Sequence, residues 1–279
     1  MSRADRPIGT WLVLLPCWWG VGLAMMADQP RWFDLWIVIA CGLGALVMRG
    51  AGCTWNDITD RHIDAGVART RSRPLPSGQV TLRGAWAWMI AQSLIGFLIL
   101  LTLGKAAIWM GIASLALVAI YPFAKRFTWW PQIFLGLAFN WGVMLAWTAH
   151  MGRLDAAPVV AWLAGIAWTV FYDTIYAHQD VEDDVLMGVK STARLFGDAS
   201  PRILAGFAAL AVLGLALAIM LAGRNQLIAL AGLAGFAGHL LWQLRNFQPD
   251  QGDSCLRLFR SNRDAGLILA LFLAIAGLL

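Results

Sequence analysis

Long apolar runs alternate with short polar segments along the whole chain. A bilayer core of about 30 Å needs roughly 20 consecutive apolar residues per helix, and scanning at that length predicts nine membrane-spanning helices. The predicted spans are 8–27, 33–54, 84–103, 106–122, 131–149, 157–177, 201–222, 226–246 and 264–279. We therefore expect an all-α integral membrane protein, a single transmembrane domain over residues 1–279 whose helices form a bundle.

The composition agrees with this pattern and excludes several classes of protein. The chain is 59% hydrophobic and 13% charged, whereas a soluble domain is about 25% charged. Because the charges collect in a few short segments, neither disorder nor nucleic-acid binding explains the net charge of +5. No nucleic acid and no obligate protein partner is expected, and the four cysteines predict neither disulfides nor a zinc site.

The links between spans predict their arrangement. Tight links at Gly104-Lys105 and at Gly223-Arg224-Asn225 indicate antiparallel helix hairpins. The short charged stretch Met1–Arg6 has no cleavage site after it, so the first span is interpreted as a retained helix rather than a signal peptide.

Most of the 21 Lys and Arg residues lie on the side of the N-terminus. The positive-inside rule then places the N-terminus in the cytoplasm, and we expect a bacterial inner (cytoplasmic) membrane. The two long polar loops, 55–83 and 178–200, fall on this same side, so we expect the functional site there.

The first acidic cluster follows the second span. At about 100° per residue, Asn56, Asp60 and Asp64 share one stripe of a helix, and Asp57 lies beside them. Oxygen ligands on neighbouring turns suit a hard cation such as Mg²⁺, which is usually held by one or two carboxylates together with substrate phosphates. This segment is therefore a candidate metal site.

The second acidic cluster follows the sixth span. Asp173, Asp180 and Asp184 also fall on one stripe if the helix continues through them. Half of the 16 acidic residues lie in the two clusters, which end at the same membrane face. So much like charge repels itself unless cations bind between the clusters, although solvated helix ends explain either cluster alone.

Basic residues near both clusters suit an anionic ligand. Metal-bridged diphosphate needs carboxylates for the metals and Arg, Lys or Tyr side chains for its remaining oxygens. We expect functional roles above all for Arg71 and Lys125, and topology or lipid-headgroup contacts for Lys190, Arg257, Arg260 and Arg263. The candidate residues for the diphosphate are Arg69, Arg71, Arg73, Tyr121, Lys125 and Arg126.

Arg49 lies inside the second span, two turns below Asn56 and on the same face. An Arg at this depth costs about 2.5 to 3.5 kcal/mol on insertion scales, so it needs a partner inside the bundle. We interpret it as the group that binds a carboxylate on a small substrate; the structural alternative is a pair with Asp173. Asn140 and Trp141 are candidates for lining the same cavity, although Asn140 equally suits a bridge between helices.

Together these motifs resemble the UbiA-type superfamily of intramembrane aromatic prenyltransferases. The resemblance rests on the N-D-x-x-D-x-x-x-D segment from Asn56 to Asp64, the D-x-x-x-D segment from Asp180 to Asp184, and the order of motifs along the whole chain. The opening 6–10 and the tracts 57–78 and 172–192 look most like members that act on 4-hydroxybenzoate in ubiquinone synthesis.

The resemblance implies a nine-helix bundle whose central cavity opens to membrane lipid. It implies that Mg²⁺ and a polyprenyl diphosphate meet there, and that the prenyl group joins the ring carbon ortho to the hydroxyl of 4-hydroxybenzoate. Asp173 either accepts the ring proton or supports the metal site. The implied metal ligands are Asn56, Asp57, Asp60, Asp64, Asp180 and Asp184; the implied catalytic residues are Asp60, Asp64, Lys125 and Asp173; the implied substrate-binding residues are Arg49, Arg71, Tyr121, Lys125, Arg126 and Asn140.

Three other interpretations stay open at this point. A divalent-cation transporter also carries intramembrane carboxylates, but the opposite half of the bundle is predicted to hold no Asp or Glu at depth. A related enzyme with a naphthoate, haem or chlorophyll-type acceptor shares the fold, and the fold does not choose among acceptors. A purely structural protein leaves the two acidic clusters unexplained.

Overall fold

The computed structural model describes residues 1–66, 70–186 and 188–279, without the side chains of Ile63 and Asp183. Within these ranges, nine segments are helical, long and apolar enough to cross a membrane, which confirms the predicted number. The α-helices that form them are α1 (Ile8–Ala27), α2 (Trp32–Gly66), α3 (Leu82–Leu100), α4 (Lys105–Ile120), α5 (Pro131–Phe139), α6 (Gly142–Met151), α7 (Ala156–Ala177), α8 (Ser200–Ala222), α9 (Gln226–Asn246) and α10 (Gly252–Leu278).

Two helices extend well past their predicted spans. Helix α2 continues to Gly66 rather than ending at residue 54, and α10 begins at Gly252 rather than at residue 264. A hydropathy scan ends a span where charges begin, but a helix continues until a breaker such as proline interrupts it. As a consequence, the first acidic cluster stands on the same rigid helix as Arg49.

The fifth span is not one helix. It breaks at Asn140-Trp141 into α5 and α6. The Asn140 amide nitrogen donates to the Gly136 carbonyl at 2.9 Å and to the Thr169 hydroxyl of α7 at 2.8 Å. Asn side chains compete with the backbone for local hydrogen bonds, and this one both ends α5 and ties it to α7.

Helix α1 lies at the centre of the bundle and packs against α2, α6 and α10. Its Trp19 indole donates to the Gly266 carbonyl at 3.0 Å and lies 4.9 Å from the ring centroid of Trp168. A methyl group added at Gly22 would come within 2.8 Å of Leu273. Small residues of this kind allow membrane helices to approach closely, where van der Waals contacts hold them together.

Only one of the two predicted hairpins is packed along its length. Helices α8 and α9 pack against each other, as predicted. Helices α3 and α4 touch near their link, where Leu100 contacts Gly111, but α3 otherwise packs against α2 and α4 against α6. Because α3 and α4 diverge, a gap opens between them toward the end of the bundle where the N-terminus lies, hereafter the N-terminal face.

A polar cluster lies at the opposite face, hereafter the loop clasp: the buried Asp34 and His150 together with the more exposed Asp28 and Arg31. The His150 Nδ1 lies 2.5 Å from the Asp34 carboxylate, which also accepts from the Arg31 backbone N–H at 2.7 Å. Asp34 is only 5% exposed. Asp34 lies in the first turn of α2, at the end of the helix, where His150 covers it from water.

Candidate active site

The first acidic cluster is buried at the end of α2. Asp57, Asp60 and Asp64 expose 1%, 0% and 6% of their surface. Because α2 is helical throughout this stretch, Asn56, Asp60 and Asp64 share one helix face, as their spacing predicts. Carboxylates removed from water in this way need cationic partners.

Arg3 and Arg73 supply part of that positive charge. The Arg73 Nη1 lies 2.6 Å from Asp64 Oδ2 and 3.4 Å from Asp57 Oδ1, and the Arg3 Nη2 lies 2.6 Å from Asp57 Oδ1. Burial raises the pKa of Asp64 above its usual range, although Arg73 opposes the shift. Two arginines from separate segments therefore converge on this cluster.

Lys125 and Arg126 supply the rest from the segment after α4. A 3₁₀ turn, Tyr121–Phe123, and a short helix, Ala124–Phe127, place both side chains over Asp60. The Lys125 Nζ lies 2.5 Å from Asp60 Oδ2 and the Arg126 Nη2 lies 3.3 Å from Asp60 Oδ1. The Lys125 carbonyl also accepts from the Lys190 backbone N–H at 3.3 Å, which joins this segment to the one that follows the second acidic cluster.

The second acidic cluster does not stand on a continuous α-helix. A 3₁₀ turn, His178–Asp180, separates α7 from a short helix, Val181–Leu186. The alignment of Asp173, Asp180 and Asp184 at helical spacing therefore fails at the turn. Burial and the neighbouring Asp180 raise the pKa of Asp184 to about 6, and Lys125 opposes that shift. Lys125 thus lies within electrostatic range of both clusters.

Asp173 and Tyr121 connect the clusters to the membrane interior. Asp173 is half-buried on α7 and lies within electrostatic range of Arg49 and Asp180. The Tyr121 hydroxyl donates to Asn56 Oδ1 at 3.4 Å. The structure therefore brings residues from α2, α7 and the segment after α4 to one place at the N-terminal face.

Arg49 lies below this cluster in the wall of a cavity. Its Nη1 lies 2.5 Å from the Cys53 sulfur, and its guanidinium carbon lies 5.8 Å from the centre of the Phe139 ring. Among the residues that the structure describes, we find no carboxylate in an ion pair with Arg49. The guanidinium is therefore held in position with its charge uncompensated by direct contact.

The cavity has a volume of about 450 Å³ and mainly apolar walls. Arg49 and Tyr121 line its end nearest the acidic clusters, and Trp141 lines its side. Most of the remaining wall comes from α2, α3 and α4, with a few residues of α1, α5 and α6, so the cavity meets the gap between the two diverging helices. A space of this kind accommodates an apolar chain next to a charged head group.

Two of the predicted substrate-binding residues lie away from these contacts. Arg71 is exposed, and Arg73 rather than Arg71 contacts the aspartates. Asn140 is 1% exposed, bonds to Thr169 and is not among the residues that line the cavity, which favours the helix-bridging interpretation. Arg69 lies outside the described residues.

Sequence reasoning missed the roles of Arg3 and Arg73. In the sequence, Arg3 counts only toward the basic side of the membrane, and Arg73 is a candidate for the diphosphate rather than a partner of Asp64. A loop or terminal residue has no periodicity that would reveal its partner. The one available signal was proximity in sequence, since Arg73 follows the first cluster within the same polar loop.

The carboxylate and amide oxygens are suitable Mg²⁺ ligands. Over the described ranges, no group of three or more His, Cys, Asp and Glu side chains is arranged to hold a metal ion by itself. The donor set fits an ion that takes one or two protein carboxylates and completes its coordination with phosphate oxygens and water.

Comparisons with known proteins agree with this geometry. The model of the UbiA prenyltransferase family matches residues 13–278. The mitochondrial 4-hydroxybenzoate polyprenyltransferases of Aedes aegypti and Drosophila melanogaster are both 45% identical to this chain. The alignments cover 97% and 100% of this chain but only 61% and 71% of those proteins, so the chain spans about two thirds of the length of these relatives.

Solved structures share the fold. A UbiA homolog from Aeropyrum pernix K1 superposes with a TM-score of 0.80 at 25% identity, covering 95% of this chain and 97% of the homolog. A UbiA homolog from Archaeoglobus fulgidus, solved with GPP and Mg²⁺ bound, gives a TM-score of 0.72 at 18% identity, covering 98% and 97%.

These comparisons contradict the predicted location. The relatives from Aedes aegypti, Drosophila melanogaster and Rattus norvegicus are mitochondrial enzymes, so the prediction of a bacterial inner (cytoplasmic) membrane is wrong. The physical reason is that the positive-inside rule reports which side of a membrane is more basic and does not identify the membrane.

The predicted fold class is confirmed by the nine helical segments and the superpositions. The resemblance drawn from the two aspartate motifs is confirmed by the family match over residues 13–278 and by relatives at 45% identity. The chain belongs to the UbiA prenyltransferase family.

Proposed function

We propose that this protein transfers a prenyl group from a polyprenyl diphosphate to the ring carbon ortho to the hydroxyl of 4-hydroxybenzoate, with Mg²⁺, in ubiquinone synthesis. The observation that carries the proposal is the position of a buried carboxylate cluster, ringed by basic side chains, at the mouth of an apolar cavity that contains Arg49. The names of the relatives at 45% identity support the choice of substrates.

The donor's head group is assigned to the N-terminal face. Arg3, Arg73 and Lys125 present cationic donors to oxygen atoms there, and each already contacts an aspartate. Mg²⁺ would be held by the oxygens of the two acidic clusters: Asn56, Asp57, Asp60, Asp64, Asp180 and Asp184. When bound, it supplies positive charge that stabilises the departing diphosphate.

The chemical step needs charge stabilisation and a dry site. The bond between the allylic carbon and the diphosphate oxygen breaks, and the electron pair leaves with the diphosphate. Lys125 and Arg73 stabilise the negative charge that develops on that group. The rings of Phe139 and Trp141 line the cavity and present π faces to the positive charge on the allylic carbon.

The acceptor ring is assigned to the space beside Arg49. A guanidinium binds a carboxylate through two parallel hydrogen bonds, which orients the ring. The ring carbon forms the new bond to the allylic carbon, and its proton passes to the Asp173 carboxylate, which lies within electrostatic range of Arg49. The products are then the prenylated acceptor, diphosphate and one proton.

The competing functions have less support. For a divalent-cation transporter, carboxylates are needed along a path across the membrane, whereas the acidic clusters here lie at one face and the buried Asp34 of the loop clasp is already hydrogen-bonded to His150. A different aromatic acceptor would use the same fold, and the naming of the relatives argues for 4-hydroxybenzoate.

The test is a product assay on purified protein in liposomes. With geranyl diphosphate, 4-hydroxybenzoate and Mg²⁺, we expect a prenylated 4-hydroxybenzoate by mass spectrometry and an equal amount of diphosphate. Parallel reactions receive a dihydroxynaphthoate or haem as acceptor. Product from one of these acceptors alone would reassign the acceptor, and cation flux without any prenyl diphosphate would support the transporter.

A further inference from the structure

The cavity extends along α2 far below the site of the donor's head group. On α2 it is lined from Gly52, next to Arg49, down to Gly44 and Ala40. At 1.5 Å per residue, Gly52 lies about 6 Å and Gly44 about 18 Å below Asn56 along the helix axis. The cavity therefore has the length and the apolar walls that a hydrocarbon tail requires.

Gly44 keeps the lower part of this cavity open. A methyl group built at Gly44 or at Gly52 would meet no atom within 4 Å, so a side chain at either position would project into free space. Neither residue has the positive backbone φ that favours glycine. Glycine weakens a helix relative to alanine, and here neither packing nor backbone conformation requires it.

Other glycines that line the same cavity differ from these two. A methyl group at Gly96 would collide with Met48, and one at Gly111 would collide with Leu100. Those residues allow neighbouring helices to approach each other. Gly44 and Gly52 instead leave volume to a molecule that occupies the cavity.

We propose that Gly44 is a specificity-determining residue for the length of the donor's prenyl tail, an inference that rests on the function proposed above. An extended chain advances about 3.6 Å over three backbone bonds, so the four bonds of an isoprene unit span about 4.8 Å. Gly44 then lies opposite about the fourth isoprene unit, and its missing side chain gives longer tails room to continue. Gly52 lies beside the first or second unit, which every donor has.

The experiment compares Gly44→Leu, Gly52→Leu and Gly42→Leu. Gly42 is the matched control, because it lies on the opposite side of α2, does not line the cavity, and also has no atom within 4 Å of an added methyl group. For each protein, kcat/KM is measured with geranyl and with octaprenyl diphosphate. Gel filtration and a melting curve check folding, and Gly44→Ala provides a milder change should Gly44→Leu fold poorly.

We expect Gly44→Leu to lower kcat/KM for octaprenyl diphosphate by at least about tenfold while geranyl diphosphate stays within about threefold of wild type. Gly52→Leu should impair both donors, and Gly42→Leu should change neither. An equal effect of Gly44→Leu on both donors, or none, would overturn the proposal, because the tail would then leave through the gap between α3 and α4 before it reaches Gly44.

A second measurement separates this proposal from the choice of acceptor. Thiodiphosphate analogues of the two donors, which resist transfer, are titrated with Mg²⁺ while the melting temperature is followed. If wild type binds both analogues but does not prenylate 4-hydroxybenzoate, the proposed acceptor is wrong. The length preference of Gly44→Leu is then measured from the shift in melting temperature that each analogue produces. If wild type binds neither analogue, both proposals are wrong.

Discussion

Replacing Arg49 by lysine should weaken binding of the acceptor and leave binding of the donor nearly unchanged. The Arg49 guanidinium is held between the Cys53 sulfur, at 2.5 Å, and the face of Phe139, at 5.8 Å from the ring centre. A methyl group added at Gly9 would collide with the Arg49 guanidinium, so the absence of a side chain at Gly9 leaves the space that Arg49 occupies. Lysine keeps the charge but loses the planar pair of donors.

The size of the effect follows from the lost hydrogen bond. A hydrogen bond to a charged group contributes about 1.5 to 3 kcal/mol, which corresponds to roughly 10-fold to 150-fold in affinity. The KM for 4-hydroxybenzoate should rise by that factor. The donor's KM should stay within about twofold of the wild-type value. Lys125 and Arg73, which are assigned to the diphosphate, are held by the acidic cluster and do not contact Arg49.

The assay uses acceptors with and without a carboxylate. Phenols that lack the carboxylate do not use the paired hydrogen bonds of the guanidinium. In the variant, their kcat/KM should therefore rise relative to that of 4-hydroxybenzoate. Arg83→Lys is the control, since Arg83 is exposed at the same face. If Arg49 instead holds helices together through Asp173, all acceptors should lose equally and the melting temperature should fall. An unchanged acceptor preference would refute carboxylate binding by Arg49.

Two further predictions concern the two faces of the bundle. Lys125→Ala should raise the donor's KM by roughly 10-fold to 150-fold, because a charge-assisted hydrogen bond to the diphosphate is lost. Steady-state kinetics measure this, with the exposed Lys105→Ala as the control. A rise confined to the acceptor's KM would contradict the prediction. His150→Leu should destabilise the fold by about 1 to 3 kcal/mol without changing either KM, because the buried Asp34 loses its side-chain partner and keeps only the Arg31 backbone N–H. Melting curves of His150→Leu, Asp34→Asn and the double variant measure that coupling, and additive effects would contradict it.

Local patterns in the sequence were enough to predict the spans and one face of the site. Hydropathy over about 20 residues depends only on neighbours in sequence, so it was enough to predict the nine spans. The limits of the spans were less accurate, because a helix continues past the point where charges begin. The stripe Asn56, Asp60 and Asp64 was predicted for the same reason, because α2 continues as a regular helix through it.

What depends on three-dimensional packing could not be predicted in this way. The choice of Arg73 over Arg71 as the partner of Asp64 depends on how a loop folds back over α2. The 3₁₀ turn His178–Asp180 interrupts the helical spacing of the second cluster without a proline or glycine to signal it. The separation of α3 from α4, which opens the cavity, results from each helix packing on a different neighbour.

Both acidic clusters are proposed to bind one Mg²⁺-bound prenyl diphosphate. Isothermal titration of geranyl thiodiphosphate, with and without Mg²⁺, tests this proposal directly in wild type, Asp60→Asn and Asp180→Asn. The exposed Asp198 at the same face provides the control Asp198→Asn. We predict binding that requires Mg²⁺ in wild type and the control, and that weakens by at least about tenfold in both Asp60→Asn and Asp180→Asn, since each removes a charged ligand. Wild-type affinity in either of these two variants would contradict the claim.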